Sequence, residues 1–369
     1  MPTSKPAYRL TLGSTTLASA GVPPGGGDLI GAAAGALAAG VAGAVGASGP
    51  VGAPAPVAIR ADADLASPAA TLDVWLGSPA ALSVAVGDPA KLELGYGTTL
   101  SAAFTGVVDR VEPDLTRLHV QACTGVTELF RLRVNQVYEH QTAGQIVADL
   151  SGLAGLATGT IQDGPDLPFY VVDDARSAYQ HCRDLAERAG FDLFVNPDGE
   201  LTFATFDKAA PDHQFAYARD VLSLGVRATP APVGRVEVWG ESPASSEGAE
   251  AASWLVRDFT RSVGAAGSGV TLRVSDPAIR TKAAADASAG GRLAVLTRRA
   301  TFGVAVVLGA PDVAVGDAVA FTQVPDDRLS GTFQAKRVTH HFSKSDGFTT
   351  RLELWGGAGG LGDLLGGLL

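Results

Sequence analysis

The chain has 369 residues, of which 46% are apolar, 18% charged and 7% aromatic, enough apolar side chains for two or three packed domains and too many for a disordered polymer. Its 28 basic and 38 acidic side chains give a net charge of -10, so a phosphate backbone would be repelled, and with no basic patch in sight nucleic-acid recognition is not expected. Cys123 and Cys182 are the only cysteines, too few for a disulfide framework and without the paired spacing of a structural zinc site.

The N-terminal residues Met1 to Leu10 lack the apolar core of a secretory signal, so synthesis in the cytoplasm without that route of export is expected. Tyr8, Leu10 and Leu12 then alternate with polar neighbours, the period-two pattern of a half-buried strand. Between Gly21 and Pro56 the only charge is Asp28, and 22 residues are Ala or Gly. The stretch reads as an insertion with three candidate roles: a flexible or loosely helical loop, an ordered element against a partner, or a membrane-seeking segment. The last is disfavoured, because Ala and Gly gain little in hydrocarbon and no basic cluster flanks the run.

Alternation resumes at Leu72, Val74 and Leu76, and strand-like segments follow at Leu92 to Tyr96, Ala103 to Val111 and Leu118 to Ala122. Residues 1–20 and 57–135 therefore form a first small β-barrel-like domain, interrupted by the insertion at 21–56.

Residues 136–212 change character. Thr142-Ala-Gly-Gln145 and Ser177-Ala-Tyr-Gln180 are capping boxes that open two helices. Ile146, Val147, Leu150 and Leu153 form the apolar face of the first; Tyr179, Cys182, Leu185, Ala186 and Ala189 form that of the second, which Gly190 stops. Cys182 is thus a core residue, and His181, about 100° around the helix, faces solvent. Asn196-Pro-Asp-Gly199 turns a hairpin between Phe191 and Phe203. This is a two-helix plus hairpin module.

Residues 213–355 form a second β-barrel-like domain. An exposed loop is expected at Glu241 to Ala252. A helix near 276–296 is expected to start at Ser275-Asp-Pro-Ala278. Strands follow at Ala300 to Leu308, Ala318 to Gln323, Thr332 to His340 and Thr349 to Leu354. Residues 356–369 are a Gly/Leu-rich tail.

The two β domains echo each other. Val86-Gly-Asp88 precedes a strand, a glycine-bearing strand from Phe104, a turn and a closing strand near Leu118; Val315-Gly-Asp317, Leu329-Ser-Gly331 and Phe348 to Leu354 repeat the order.

Residues that carry chemistry are scarce. Asp163, Asp166, Asp173 and Asp174 are the densest acidic group; a hydrolase needs two such carboxylates, but turn chemistry and a helix N-terminus account for them. His340 and His341 are neighbours on a strand and point to opposite faces, so they do not share a metal. The glycine-rich stretches at 25–27 and 356–360 lack the Lys and Ser or Thr of a phosphate loop. Arg298-Arg299 and Lys336-Arg337 read as solvated pairs. No catalytic, cofactor-binding or metal residue is expected, and no cofactor.

In order and spacing these segments resemble the family of phage late control protein D and the hub portion of VgrG-type spikes. The likeness spans roughly residues 68 to 355 and is carried by Gly106-Val-Val-Asp-Arg-Val111, His119-Val-Gln-Ala122, Glu128-Leu-Phe130, Thr142 to Leu150, Tyr170-Val-Val-Asp-Asp174, Leu185-Ala-Glu-Arg-Ala-Gly190, Gly199 to Phe203, Gly331 to Ser343 and Gly347 to Leu354. The resemblance implies an α+β, mainly β chain that assembles as a homotrimeric ring, the baseplate hub of a contractile phage-tail-like injection machine. Six similar β units would then adapt a hexameric inner tube to a trimeric spike, among other baseplate components. The insertion at 21–56 departs from the family pattern. No barrel or needle follows Leu354, so the spike is expected to be a separate protein. A tail-tip cell-wall hydrolase, or a tail protein that engages a membrane through residues 21–56, are the alternatives.

Overall fold

The structure, a computed structural model, describes residues 5–19, 21–23, 56–77, 82–240 and 263–357. Nearly all of the Ala/Gly-rich insertion, the loop expected at 241–252 and the tail beyond residue 357 lie outside the described residues.

Seven strands build the first β unit: β1 (Pro6–Leu12), β2 (Thr15–Ala18), β3 (Pro56–Asp64), β4 (Thr71–Gly77), β5 (Pro89–Tyr96), β6 (Thr99–Pro113) and β7 (Arg117–Cys123). They pair antiparallel in the order β3-β4-β7-β6-β5-β1-β2. The alternating residues Leu10, Leu12, Leu72, Val74, Leu76, Leu92 and Leu94 meet in its core, each at most 1% exposed.

The middle of the chain holds α1 (Thr127–Arg131), β8 (Gln136–Thr142), α2 (Ala143–Leu153), β9 (Thr158–Ile161), β10 (Asp166–Val172), α3 (Ala178–Ala189), β11 (Asp192–Val195) and β12 (Leu201–Ala204). Both capping boxes form: Thr142 Oγ1 accepts from Gln145 N at 3.2 Å, and Ser177 Oγ accepts from Gln180 N at 3.3 Å. Gly190 ends α3 at φ 71°, a left-handed cap that favours glycine. Ile146, Val147 and Leu150 are buried, but Leu153, expected on the same face, is 52% exposed because it ends the helix beyond its packing partners.

The remaining elements are β13 (His213–Ala216), β14 (Val221–Ala228), β15 (Arg235–Gly240), β16 (Val263–Gly267), β17 (Thr271–Asp276), α4 (Lys282–Arg299), β18 (Thr301–Leu308), β19 (Ala318–Thr322), a 3-10 turn (Asp327–Leu329), β20 (Gly331–Ser343) and β21 (Gly347–Gly356). The helix expected from Ser275 begins six residues later. Ser275 and Asp276 finish β17, and Asp276 Oδ1 accepts from Ala278 N in a local turn, while Thr281 caps α4 by accepting from Ala284 N. A Ser-Asp-Pro run serves a turn as readily as a helix start, and here the turn wins.

Apolar side chains gather in three clusters. One fills the first β unit and a second lies among β14, β18, β19, β20 and β21. The third joins the two-helix module to β15 and α4, through Val236, Val238, Ala285 and Ala289.

A four-strand order, each strand pairing antiparallel with the next, occurs twice. β3-β4-β7-β6 in the first unit corresponds to β14-β18-β21-β20 in the second, with β5 beside β6 as β19 lies beside β20. The Val-Gly-Asp turns match bond for bond. Gly87 N donates to Val108 O at 2.8 Å and Gly316 N to Ala335 O at 2.9 Å. Val108 N donates to Asp88 O and Ala335 N to Asp317 O, both at 2.8 Å. The irregularities match as well: the register slips between Val108 and Arg110 as between Ala335 and Arg337, and between Pro56 and Ala58 as between Val221 and Ser223. In this register Gly331 corresponds to Phe104 rather than to Gly106, which lies inside β6 against the Cys123 carbonyl.

The repeats are not separate. The outer half of β20 pairs antiparallel with β3, from Arg337 opposite Asp64 to Ser343 opposite Ala58, so one sheet runs through both.

Candidate functional site

The seam between β3 and β20 carries the densest charge network of the described residues. Lys336 Nζ lies 2.9 Å from both Asp64 Oδ2 and Glu353 Oε2, and the three side chains are 14%, 12% and 17% exposed. Arg337 grips Asp62 with two donors, Nε at 3.0 Å and Nη2 at 2.7 Å, and the Thr339 hydroxyl donates to the same carboxylate. Burial alone would raise the Asp62 carboxyl; the Arg337 and Thr339 hydrogen bonds outweigh it and hold the group below its ordinary range. Lys336-Arg337, read from sequence as a solvated pair, is instead the clamp between the two repeats. A two-pronged guanidinium and a shared ammonium fix strand register as well as charge.

A second polar joint lies beneath a groove of about 300 Å³ between the β11–β12 hairpin and the turn at Gly316. Asp192 Oδ2 there accepts from Gln334 Nε2 at 2.6 Å and lies 3.5 Å from Arg298 Nη2, while Arg298 Nη1 donates to Phe206 O at 3.0 Å. Burial pushes the Asp192 carboxyl up against the pull of Arg298 and Gln334. Arg298 is 4% exposed, which corrects its expected place at the surface, and Arg299 stacks on Trp355 with its guanidinium 4.9 Å from the ring. Asp192 thereby joins α4, through Arg298, and β20, through Gln334, to the hairpin at one point.

His181 also departs from expectation. It is 1% exposed, its Nε2 lies 3.1 Å from Asp173 O and its Nδ1 3.3 Å from the Tyr170 hydroxyl. Tyr170 of β10 lies against His181, although Gln180, Arg183 and Glu187 on the same helix are exposed, so this histidine is a buried hydrogen-bonding bridge, with its pKa lowered by burial.

The acidic group does not converge. Asp163 Oδ1 accepts from the Thr142 hydroxyl, Asp173 Oδ1 caps Ala175 N at 3.1 Å, and Asp174 N donates to Asn135 Oδ1 at 3.0 Å. Asp166 opens β10 as an exposed residue. His340 is buried and bonds through Nδ1 to Thr350 Oγ1 at 3.0 Å, whereas His341 is half-buried across the strand. Cys182 is fully buried, which pushes its thiol up to about 12, and Cys123 is half-buried with its thiol also raised. Among the described residues no group of three or more His, Cys, Asp and Glu side chains is placed to hold a metal ion, and no helix is long and apolar enough to cross a membrane.

The seam residues Asp62, Asp64 and Glu353, and the joint residues Asp192 and Gln334, carry no signal in the sequence. Nothing local marks them, because each bonds a group on another element, from 17 to 275 residues along the chain.

No protein-family model matches the sequence, and no curated protein does either. Solved structures do match the fold. The 43 kDa tail protein of prophage MuSo2 from Shewanella oneidensis is 11% identical, with 95% of this chain and 98% of that one covered at a TM-score of 0.62. A tail protein from Neisseria meningitidis MC58 is 15% identical, with 95% and 96% covered at 0.64. An Escherichia coli component of the type VI secretion system, itself structurally similar to bacteriophage tail proteins, is 10% identical, with 82% and 73% covered at 0.53. The chain thus has the fold of these phage tail proteins and of the type VI secretion system component.

Proposed function

We propose that this protein is a structural, non-enzymatic hub subunit of a contractile phage-tail-like particle and that it works as a homotrimer. The observation that carries this reading is the internal repeat. Two β units with the same strand order, the same Val-Gly-Asp hydrogen bonds and the same two register slips stand side by side in one sheet. Three chains then offer six similar units. A ring of threefold symmetry approximates sixfold symmetry on one face, which suits a hexameric inner tube, and keeps true threefold symmetry on the other, which suits a trimeric spike.

The residues between the repeats fit a load-bearing part. The Lys336–Arg337 clamp and the Asp192–Arg298–Gln334 joint tie both repeats and the helical module into one body, as force transmission along a tail requires. In this reading the β units are the barrel-like domains expected at 1–20 with 57–135 and at 213–355, the two-helix plus hairpin module spans 136–212, and the other partners are baseplate components.

Light scattering after size exclusion tests the assembly. A mass near 112 kDa, three times 37.4 kDa, is expected, and imaging with the tube and spike proteins should place the ring between them. A stable monomer at micromolar concentration would overturn the proposal.

A further inference from the structure

The seam inside the chain has an unfilled counterpart at both ends of the repeat. β20 uses its outer half to pair with β3. Its equivalent in the first repeat, the part of β6 beyond Val108, pairs with β7 on one side and with no described strand on the other, because β5 ends its pairing with Pro89 opposite Val107 and Gly87 and Asp88 take up Val108. The equivalent of β3 in the second repeat, β14, pairs with β18 and likewise has no described strand on its outer side. Among the described residues, one β6-type edge and one β14-type edge therefore pair with no strand, the two halves of a contact the chain already makes internally.

We propose that these edges pair with each other between neighbouring copies of the chain, so that the outer half of β6 in one copy joins β14 of the next. This rests on the trimeric reading above and names the surface that would close it. The contact is head-to-tail, and a head-to-tail contact that closes generates a ring.

The register follows from the repeat. Arg337 corresponds to Arg110 and Asp64 to Thr229, by the shared slips and pairings. Arg110 then stands opposite Thr229, Val111 opposite Ala228, Glu112 opposite Arg227 and Pro113 opposite Val226. Pro113 offers a carbonyl but no N–H, so the ladder ends there.

Charge supports this register. At the internal seam one carboxylate, Asp62, sits between two guanidiniums, 3.8 Å from Arg60 and 2.7 Å from Arg337. In the proposed contact Glu112, exposed and 3.3 Å from Arg110 of its own strand, would meet the exposed Arg227 of the next copy. The motif is again one carboxylate between two guanidiniums, with the acid now on the other strand. Opposite charges directly across an antiparallel pair favour it, and the unpaired edges are templates for strand addition.

Cysteine cross-linking decides the matter. Facing residues of an antiparallel pair have Cα atoms about 4.5–5.5 Å apart, within disulfide reach. On mild oxidation the double variant Glu112→Cys/Arg227→Cys should run as covalent dimers and trimers on a non-reducing gel. Mixed chains that carry one new cysteine each should give dimers only, and the wild type none. Glu112→Arg should weaken association about tenfold or more, and the exchange Glu112→Arg/Arg227→Glu should recover most of it. A trimeric mass without interchain cross-links would overturn this pairing and leave the ring standing. A monomeric mass for the wild type would overturn both.

Discussion

Asp88 and Asp317 do the same work in two distant parts of the chain: the Oδ2 of each accepts from the backbone N–H three residues upstream, Ala85 or Ala314, at 2.8 Å. Each is preceded by a glycine at positive φ, 94° for Gly87 and 88° for Gly316. This turn aims the following strand back across its neighbour in both repeats.

The turns should differ in sensitivity. A Cβ on Gly87 meets nothing within 4 Å, whereas on Gly316 it would lie 2.8 Å from the Phe194 ring. Gly87→Ala is expected to cost about 1 kcal/mol for the backbone alone, and Gly316→Ala about 2–3 kcal/mol, by urea unfolding. Equal losses at the two sites would show that the Phe194 contact does not matter.

The crossing of α3 and α4 makes a sharper contrast between adjacent residues. A Cβ on Gly291 would collide with the Ala189 carbonyl, while one on Gly290 meets nothing. Gly291→Ala should therefore destabilise by about 3 kcal/mol or more. Gly290→Ala should stabilise by about 0.5–1 kcal/mol, since alanine is the better helix former.

Acid should weaken the second β unit through His340. Complete burial lowers this imidazole from 6.5 to about 4. In that interval the unfolded chain binds a proton that the folded chain refuses, so stability falls as pH drops from about 6.5 to about 4 and loses nothing more from this group below that. The full loss is about 3 kcal/mol. His340→Leu should remove that part of the slope, so the difference between wild type and variant shrinks by about this amount from pH 7 to pH 4. An unchanged difference across the range would contradict the assignment.

Breaking the clamp should cost more than an ordinary surface ion pair. Lys336→Met leaves Asp64 and Glu353 without their shared ammonium at a largely buried seam, and a loss of about 2–3 kcal/mol is expected. The denaturation midpoint should fall with an unchanged m-value. A loss below about 0.5 kcal/mol would mean that solvent screens the network.

Local signals carried much of the architecture. Alternation at Leu10 and Leu12 or Leu72 to Leu76, the capping boxes at Thr142 and Ser177, and the glycine stop at Gly190 are each written within a few residues, and each element formed. The echo of Val-Gly-Asp was legible for the same reason, because a turn and its side-chain bond span four residues. Burial that depends on a distant partner was not legible. His181 sits on the polar side of its helix by periodicity but is buried against Tyr170 of β10, and Arg298 and Lys336 meet carboxylates more than a hundred residues away along the chain. The sequence by itself determined those strands, helices and turns whose signals lie within a few residues, since such choices turn on neighbours, though at Ser275 the same local signal served a turn and not the helix start. Only the tertiary structure decided which charges are clamps and which strand edges stay open, because pairing between remote strands is set by how the sheet closes around its cores.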